Sequence, residues 1–103
     1  MRGLNMIRRS VKNQTCHDRS VTRRAAGLKA NGWKVRADIP GFKRPATLNG
    51  SRPDIDARKG NQRRIIEVET LDSRNRDRQQ HRNLRNYSKS KKNTQFMMRT
   101  CGL

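Results

Sequence analysis

The chain has 103 residues, of which 26 are Lys or Arg and 8 are Asp or Glu, so its formal net charge is +18. This length fits a single domain. Its content of 30% hydrophobic and 4% aromatic residues is thin for a core, which predicts a homodimer or larger assembly. The charge predicts a polyanionic partner. Nucleic acid is favoured over an anionic membrane, because no amphipathic helix with a broad apolar face appears.

Two cysteines and the absence of long apolar runs bear on the compartment. The separation of Cys16 and Cys101 does not match the usual spacing of zinc ligands. The weaker alternative is a metal site formed by the two cysteines together with His17 and His81. Two unpaired thiols, no transmembrane run and no signal-peptide core predict an intracellular, cytoplasmic protein.

The first third of the chain predicts a basic arm and then a helix. Residues 1–15 lack sustained periodicity and predict a mobile arm, which leaves 16–103 as the domain. Apolar residues at helical spacing predict a helix from about His17 to Ala30. Thr15 or Asp18 is expected to cap its start, and Asn31-Gly32 to end it.

A strand and a basic loop follow. Apolar and polar residues alternate from Trp33 to Ile39, which predicts a half-buried strand. Pro40-Gly41 ends this strand. In the loop that follows, Lys43 and Arg44 either grip a phosphate or form a solvated surface, and the residues do not separate these alternatives.

The stretch around Gly60-Asn61 predicts a β-hairpin. Two β-like runs, Pro53–Ala57 and Arg64–Thr70, flank this pair, which suits a two-residue loop. Such a loop places Lys59 opposite Gln62. The residue numbers of every facing pair in the hairpin then sum to 121. Asp54 is therefore expected opposite Glu67.

Acidic residues are concentrated on one face of this hairpin. By alternation, Asp56 joins Asp54 on the face of Glu67 and Glu69. Five of the 8 acids fall in or just after the hairpin: Asp54, Asp56, Glu67, Glu69 and Asp72. Grouped carboxylates repel one another, and a divalent cation would remove that cost. The alternative is a solvated face whose acids are offset by four arginines: Arg52, Arg58, Arg63 and Arg64.

A second helix and a last strand complete the chain. The helix is expected from Asp72 or Ser73 to about Ser90, with Leu84 inward and His81 on the surface. Its predicted inward face consists of Ser73, Asp77, Gln80, Leu84 and Tyr87. Arginines in its first half oppose the helix dipole, which favours a phosphate backbone lying across them. Thr94–Cys101 alternates weakly and predicts a strand at a sheet edge.

Pro53-Asp54, followed by Glu67-Val68-Glu69 after apolar Ile65-Ile66, resembles the signature of the PD-(D/E)XK, or restriction-endonuclease-like, nuclease superfamily. The predicted element order also matches its core. The resemblance covers about residues 16–101. It implies an α/β fold with a restriction-endonuclease-like core, in the order α-β-β-β-α-β, whose small mixed sheet is flanked by two helices.

This resemblance further implies a Mg²⁺- or Mn²⁺-dependent endonuclease that hydrolyses phosphodiester bonds, in DNA rather than RNA. Asp54, Glu67 and the Val68 carbonyl would hold the metal. Glu69 stands where the superfamily usually has lysine, and Gln80 (or Gln79) resembles a residue on the second helix near the metal. Asp18 could add an acid, although the helix cap is favoured. The predicted phosphate-binding residues are Lys43, Arg44, Arg52, Arg74, Arg76 and Arg78.

Two other functions remain open at this point. Because Glu69 replaces the usual lysine, the protein could bind nucleic acid and keep the fold without turnover. A ribosomal or RNA-packaging protein would explain the charge but not the grouped acids.

Overall fold

The computed structural model describes residues 11–70 and 77–101. Two helices and four strands follow one another: α1 (Val11–Ala30), β1 (Lys34–Ala37), β2 (Ile55–Lys59), β3 (Gln62–Glu69), α2 (Arg78–Lys89) and β4 (Thr94–Thr100). The predicted order and the small mixed sheet with two helices are confirmed. A restriction-endonuclease-like core stays a prediction.

The four strands form one sheet in the order β1-β2-β3-β4. β1, β2 and β3 run antiparallel to their neighbours, whereas β4 is parallel to β3. A parallel neighbour needs a crossover connection, and α2 lies within it. β4 is an edge strand of the described sheet, as predicted.

The hairpin between β2 and β3 has the predicted register. Lys59 pairs with Gln62 and Ile55 pairs with Ile66, so each pair sums to 121. Gly60, the first loop residue, has φ 61°, a conformation that glycine adopts without steric cost. Asp54 lies just before β2 and its backbone N–H contacts Glu67, as the register predicts.

The helices pack on opposite faces of the sheet. Val21 and Ala25 of α1 belong to a core cluster that includes Ile66 and Val68 of β3. Ile65 precedes Ile66 and points to the other face, where it packs with Leu84 of α2. The sheet is therefore covered on one face by α1 and partly on the other by α2.

The helix boundaries differ from those predicted. α1 begins at Val11, inside the segment expected to be an arm, and ends at Ala30 before Gly32 (φ 90°), as expected. Asp18 consequently lies within the helix and is not its N-cap. α2 is described from Arg78; the predicted start at Asp72 or Ser73 lies outside the described residues.

The prediction of unpaired thiols is wrong. Cys16 in α1 and Cys101, directly after β4, form a disulfide. The disulfide removes a main reason for assigning the protein to the reducing cytoplasm, because disulfides persist in oxidising compartments. Among the described helices, none has the length and apolar character needed to span a membrane.

Candidate metal centre

The end of the β2–β3 hairpin brings together side chains from three elements. Asp54 lies before β2, Glu67 and Glu69 lie on β3, and Gln80 and His81 lie on the first turns of α2. We call these five residues the Glu67 cluster. Glu67 and Glu69 are each 1% exposed and His81 is 6% exposed, so the fold carries two acids out of water, which is costly unless their charge is neutralised.

Glu67 is held at both carboxylate oxygens. Its Oε2 accepts a hydrogen bond from the Asp54 backbone N–H at 2.7 Å, and its Oε1 accepts one from Gln80 Nε2 at 2.5 Å. The Gln80 amide also lies 3.4 Å from the Arg52 carbonyl. Gln80 therefore fixes the Glu67 side chain against α2.

The protonation of Glu67 is displaced from its ordinary range. Burial raises the pKa of Glu67 to about 9, and the nearby charges of Asp54 and Glu69 act in the same direction. The hydrogen bonds from Gln80 and the Asp54 N–H oppose this increase. Without a cation, burial and the neighbouring charges therefore favour the protonated form of Glu67.

Asp54 is oriented from two sides. Its Oδ2 accepts a hydrogen bond from the Val68 N–H at 2.8 Å. Its Oδ1 lies 3.1 Å from His17 Nε2, and His17 Nδ1 in turn lies 3.0 Å from Asp18 Oδ1. α1 thus reaches the edge of the cluster through a buried histidine.

Glu69 and His81 form a buried pair, with 2.7 Å between Oε1 and Nε2. The prediction that His81 lies on the surface is wrong. The buried residues of α2 are His81, Leu84 and Ser88, which have the 3 and 4 spacing of an inward helical stripe. The predicted face through Gln80, Leu84 and Tyr87 has the same kind of spacing, so spacing alone did not separate the two faces of the helix.

Glu67, Glu69 and His81 can hold a metal ion. Within the described residues, their ligand atoms lie within 4.8 Å of one another and all three side chains are buried. Two carboxylates and an imidazole are a plausible donor set for a divalent cation. Asp54 lies beside this group, and its role as a ligand with the Val68 carbonyl stays a prediction.

Asp56, the fourth acid of the predicted face, does not belong to this centre. Its carboxylate forms two hydrogen bonds with the Arg63 guanidinium, at 2.9 and 2.6 Å. Arg63 also donates to the Tyr87 hydroxyl. Asp56 is therefore offset by an arginine, as the alternative expected, but this acid is buried and is not part of a solvated face.

The four predicted phosphate-binding residues that the structure describes are spread over separate segments of the chain. Lys43 and Arg78 are exposed, and exposed Arg44 lies 3.4 Å from Asp38. Arg52 is half-buried, and its Nε has no hydrogen-bond partner among the described residues. Arg74 and Arg76 lie outside the described residues. Sequence reasoning considered His17 and His81 in a metal site with the two cysteines and did not place them beside Asp54 and Glu69.

Comparisons of the chain with protein-family models, curated proteins and solved structures found no match.

Proposed function

We propose that this protein is a metal-dependent nuclease that hydrolyses phosphodiester bonds, with DNA as its substrate. The observation that carries the proposal is Glu67, a buried acid placed between Asp54, Glu69 and His81. Buried acids with strongly displaced pKa values in such clusters are typical of functional sites. The net charge of +18 supports a polyanionic substrate.

The element order and the positions of Asp54 and Glu67 support the resemblance to the PD-(D/E)XK superfamily. We propose Glu67 as the central ligand, completed by Asp54 and the Val68 carbonyl or by Glu69 and His81. A divalent cation bound there supplies Lewis-acid polarisation of the phosphate and acidifies water. An imidazole donor favours Mn²⁺ over Mg²⁺, since hard Mg²⁺ prefers oxygen ligands.

The chain's own residues then have separate roles. When the cation is held by Asp54, Glu67 and the Val68 carbonyl, Glu69 would accept the proton of the attacking water, and its hydrogen bond with His81 would fix its orientation. When Glu69 and His81 are themselves ligands, this base is not available. Gln80 holds Glu67, and His17 holds Asp54. In the first of these arrangements, Glu69 thus acts as a base at the position where the superfamily has lysine.

The test uses the purified, oxidised protein. Cleavage of plasmid DNA, linear DNA, single-stranded DNA and RNA is measured with Mn²⁺, with Mg²⁺ and with EDTA. We expect cleavage of DNA with metal and none with EDTA. Asp54→Asn and Glu67→Gln should each abolish cleavage while leaving binding intact. Asp77→Asn, which removes an acid whose side chain makes no helix-capping bond, is the matched control and should cleave like the parent. Parental cleavage rates in both site variants would refute the assignment.

A nucleic-acid-binding protein without turnover is the second candidate. It is favoured by the hydrogen bonds that each clustered carboxylate makes without a cation: Glu67 with Gln80, Glu69 with His81, and Asp54 with Val68. Binding without cleavage under every metal condition would support this candidate and exclude the first.

A further inference from the structure

One face of the sheet carries ordered rows of charge that lead towards the Glu67 cluster. The register places Lys34, Arg58 and Arg63 directly opposite one another on β1, β2 and β3. Two residues further, Arg36 faces Asp56, which faces Ile65. Alternation puts Asp54 and Glu67 on the same face, in the next row.

A groove of about 390 Å³ lies over the first row and over the β1 and β2 residues of the second row, Arg36 and Asp56. Ile65 of the second row is buried against Leu84 and does not line it. Its charged lining residues are Lys34, Arg36, Lys43, Arg58, Arg63 and Asp56. These are five cations and one acid, so the formal charge of the lining is 5 − 1 = +4. We call this feature the basic groove.

The acid in the basic groove does not offset its exposed cations, because Arg63 already neutralises it. Asp56 is 6% exposed and Arg63 is its bidentate partner. The hydrogen bond with Asp56 raises the pKa of the Arg63 guanidinium, so that this residue stays charged. Lys34, Arg36 and Arg58, by contrast, are exposed and can reach a ligand in the groove.

Lys34 and Arg58 lie directly opposite each other and cost stability, because like charges in that position on neighbouring strands are destabilising. The charge of Arg63 in the same row is offset by Asp56. Folding does not require this row, whereas a polyanion lying across it would remove the repulsion. A local arrangement that opposes stability is expected at functional surfaces.

We infer that the basic groove binds the sugar-phosphate backbone of the nucleic-acid strand that enters the Glu67 cluster; this rests on the proposed function. Rows two residues apart are about 6.8 Å apart along a strand. The outer cationic row therefore lies about 14 Å from the Glu67 row.

This groove binds without reading sequence. Contacts with phosphates position a nucleic acid but carry no direct base information. Its charged lining offers lysine and arginine side chains from the sheet surface and from the loop of Lys43. The same affinity is expected for duplexes of different sequence.

The test uses the full-length, oxidised protein in EDTA, so that binding is separated from cleavage. Affinity for a labelled 20-base-pair duplex is measured by fluorescence anisotropy over a salt series. The groove variant is Lys34→Gln/Arg36→Gln/Arg58→Gln. The control is Arg19→Gln/Arg23→Gln/Lys29→Gln, which removes three exposed cations from α1, on the opposite face of the sheet. Thermal unfolding of both variants checks that they fold.

The groove variant should bind about tenfold or more weakly than the parent. The slope of log K against log salt should become shallower by about 0.9 for each phosphate that the variant no longer neutralises. The control should keep more of its affinity. Parental affinity of the groove variant, or an equal decrease in the control, would overturn the inference.

A cleavage assay with Mn²⁺ separates this inference from the proposed function. If the parent cleaves DNA and the groove variant binds normally, the nuclease stands and the groove assignment fails. If the groove variant loses affinity and the parent never cleaves, the groove is supported and the nuclease fails.

Discussion

Glu67 and Glu69, the two acids of β3, are both buried, but different groups face their carboxylates. Glu69 faces the ring of His81, a group that can carry the opposite charge. Glu67 faces the amide of Gln80 and the backbone of Asp54, which donate hydrogen bonds but bring no positive charge. Burial and the charges of Asp54 and Glu69 therefore raise the pKa of Glu67 to about 9 in spite of these hydrogen bonds, and an added cation would favour its charged form.

Glu67 should make the metal-free protein less stable as the pH rises. Its pKa is about 9 in the folded state and 4.5 as its ordinary value. Between these values the folded state binds one more proton than the unfolded state, so the free energy of unfolding falls with pH and this contribution is lost through pH 9. Glu67→Gln removes the dependence. We expect its melting temperature at pH 9 to exceed the parent's by roughly 4 °C or more, corresponding to about 1 kcal/mol.

Differential scanning calorimetry in EDTA at pH 5 and pH 9 checks this prediction. At pH 5 the two proteins should melt at similar temperatures, since Glu67 is protonated in the parent and the Gln80 amide can rotate to suit either side chain. If the difference in melting temperature between the parent and Glu67→Gln is the same at pH 5 and at pH 9, the raised pKa of Glu67 is contradicted.

Under the proposed nuclease function, Glu69 stands where the superfamily that the chain resembles usually has lysine, and variants of Glu69 and His81 test the role of this pair. Glu69→Gln should lose most of the metal-dependent cleavage, because an amide cannot accept the proton of water. Glu69→Lys alone would place an ammonium against His81, so we expect partial activity from Glu69→Lys/His81→Gln instead. Cleavage rates at saturating Mn²⁺ test both, and a Glu69→Ala variant as active as the parent would exclude Glu69 from the chemistry.

At the scale of elements, the hairpin and the two helices contribute different residues to the Glu67 cluster and its surroundings. β2 and β3 bring Asp54 and Glu67 together through local pairing around Gly60. α2 supplies Gln80 and His81 from one side, and α1 supplies His17 from the other. The disulfide between Cys16, the residue before His17, and Cys101 beyond β4 links α1 to the end of that strand.

Breaking the disulfide should destabilise the protein strongly. The bond closes a loop with a sequence separation of 85 residues, and a crosslink of that span contributes about 4 kcal/mol in the chain-entropy description. We expect dithiothreitol to lower the melting temperature of the parent by roughly 15 °C or more. Cys16→Ser/Cys101→Ser should melt near the reduced parent and show no response to the reductant, which serves as the control. A parent that melts at the same temperature with and without dithiothreitol would contradict this.

At the scale of the whole molecule, the basic charge is distributed over a small α/β fold with little core. The two core clusters lie on opposite faces of a four-stranded sheet. Phe96, Met97 and Met98 of the edge strand β4 are only half-buried. Because these apolar side chains of β4 are incompletely covered, assembly of two chains through this edge of the sheet stays a prediction.

We expect a dimer or larger assembly in solution at micromolar concentration. Pairing at the β4 edge would cover its half-buried apolar side chains and satisfy an exposed strand edge. Sedimentation velocity over a concentration series, at moderate salt to limit charge repulsion, measures the state. A folded monomer throughout the micromolar range would contradict the prediction.

The sequence by itself determined the features that depend on neighbouring residues. Alternation along Trp33–Ile39 and the glycine turn at Gly60 predicted the strand and the hairpin register, because side-chain period and turn chemistry act locally. The register then placed Asp54 against Glu67 from chain numbering alone. The order of helices and strands followed from the same periodicities.

The tertiary structure decided what depends on how elements stack. The burial of His81 against Glu69 follows from the rotation of α2 over the sheet, and a helix whose apolar content is thin does not fix that rotation in its sequence. The bond between Cys16 and Cys101 needs α1 to lie beside the end of β4, although the two residues are far apart in the chain. The cationic row of Lys34, Arg58 and Arg63 exists because three strands align in one register, and no single strand carries that pattern.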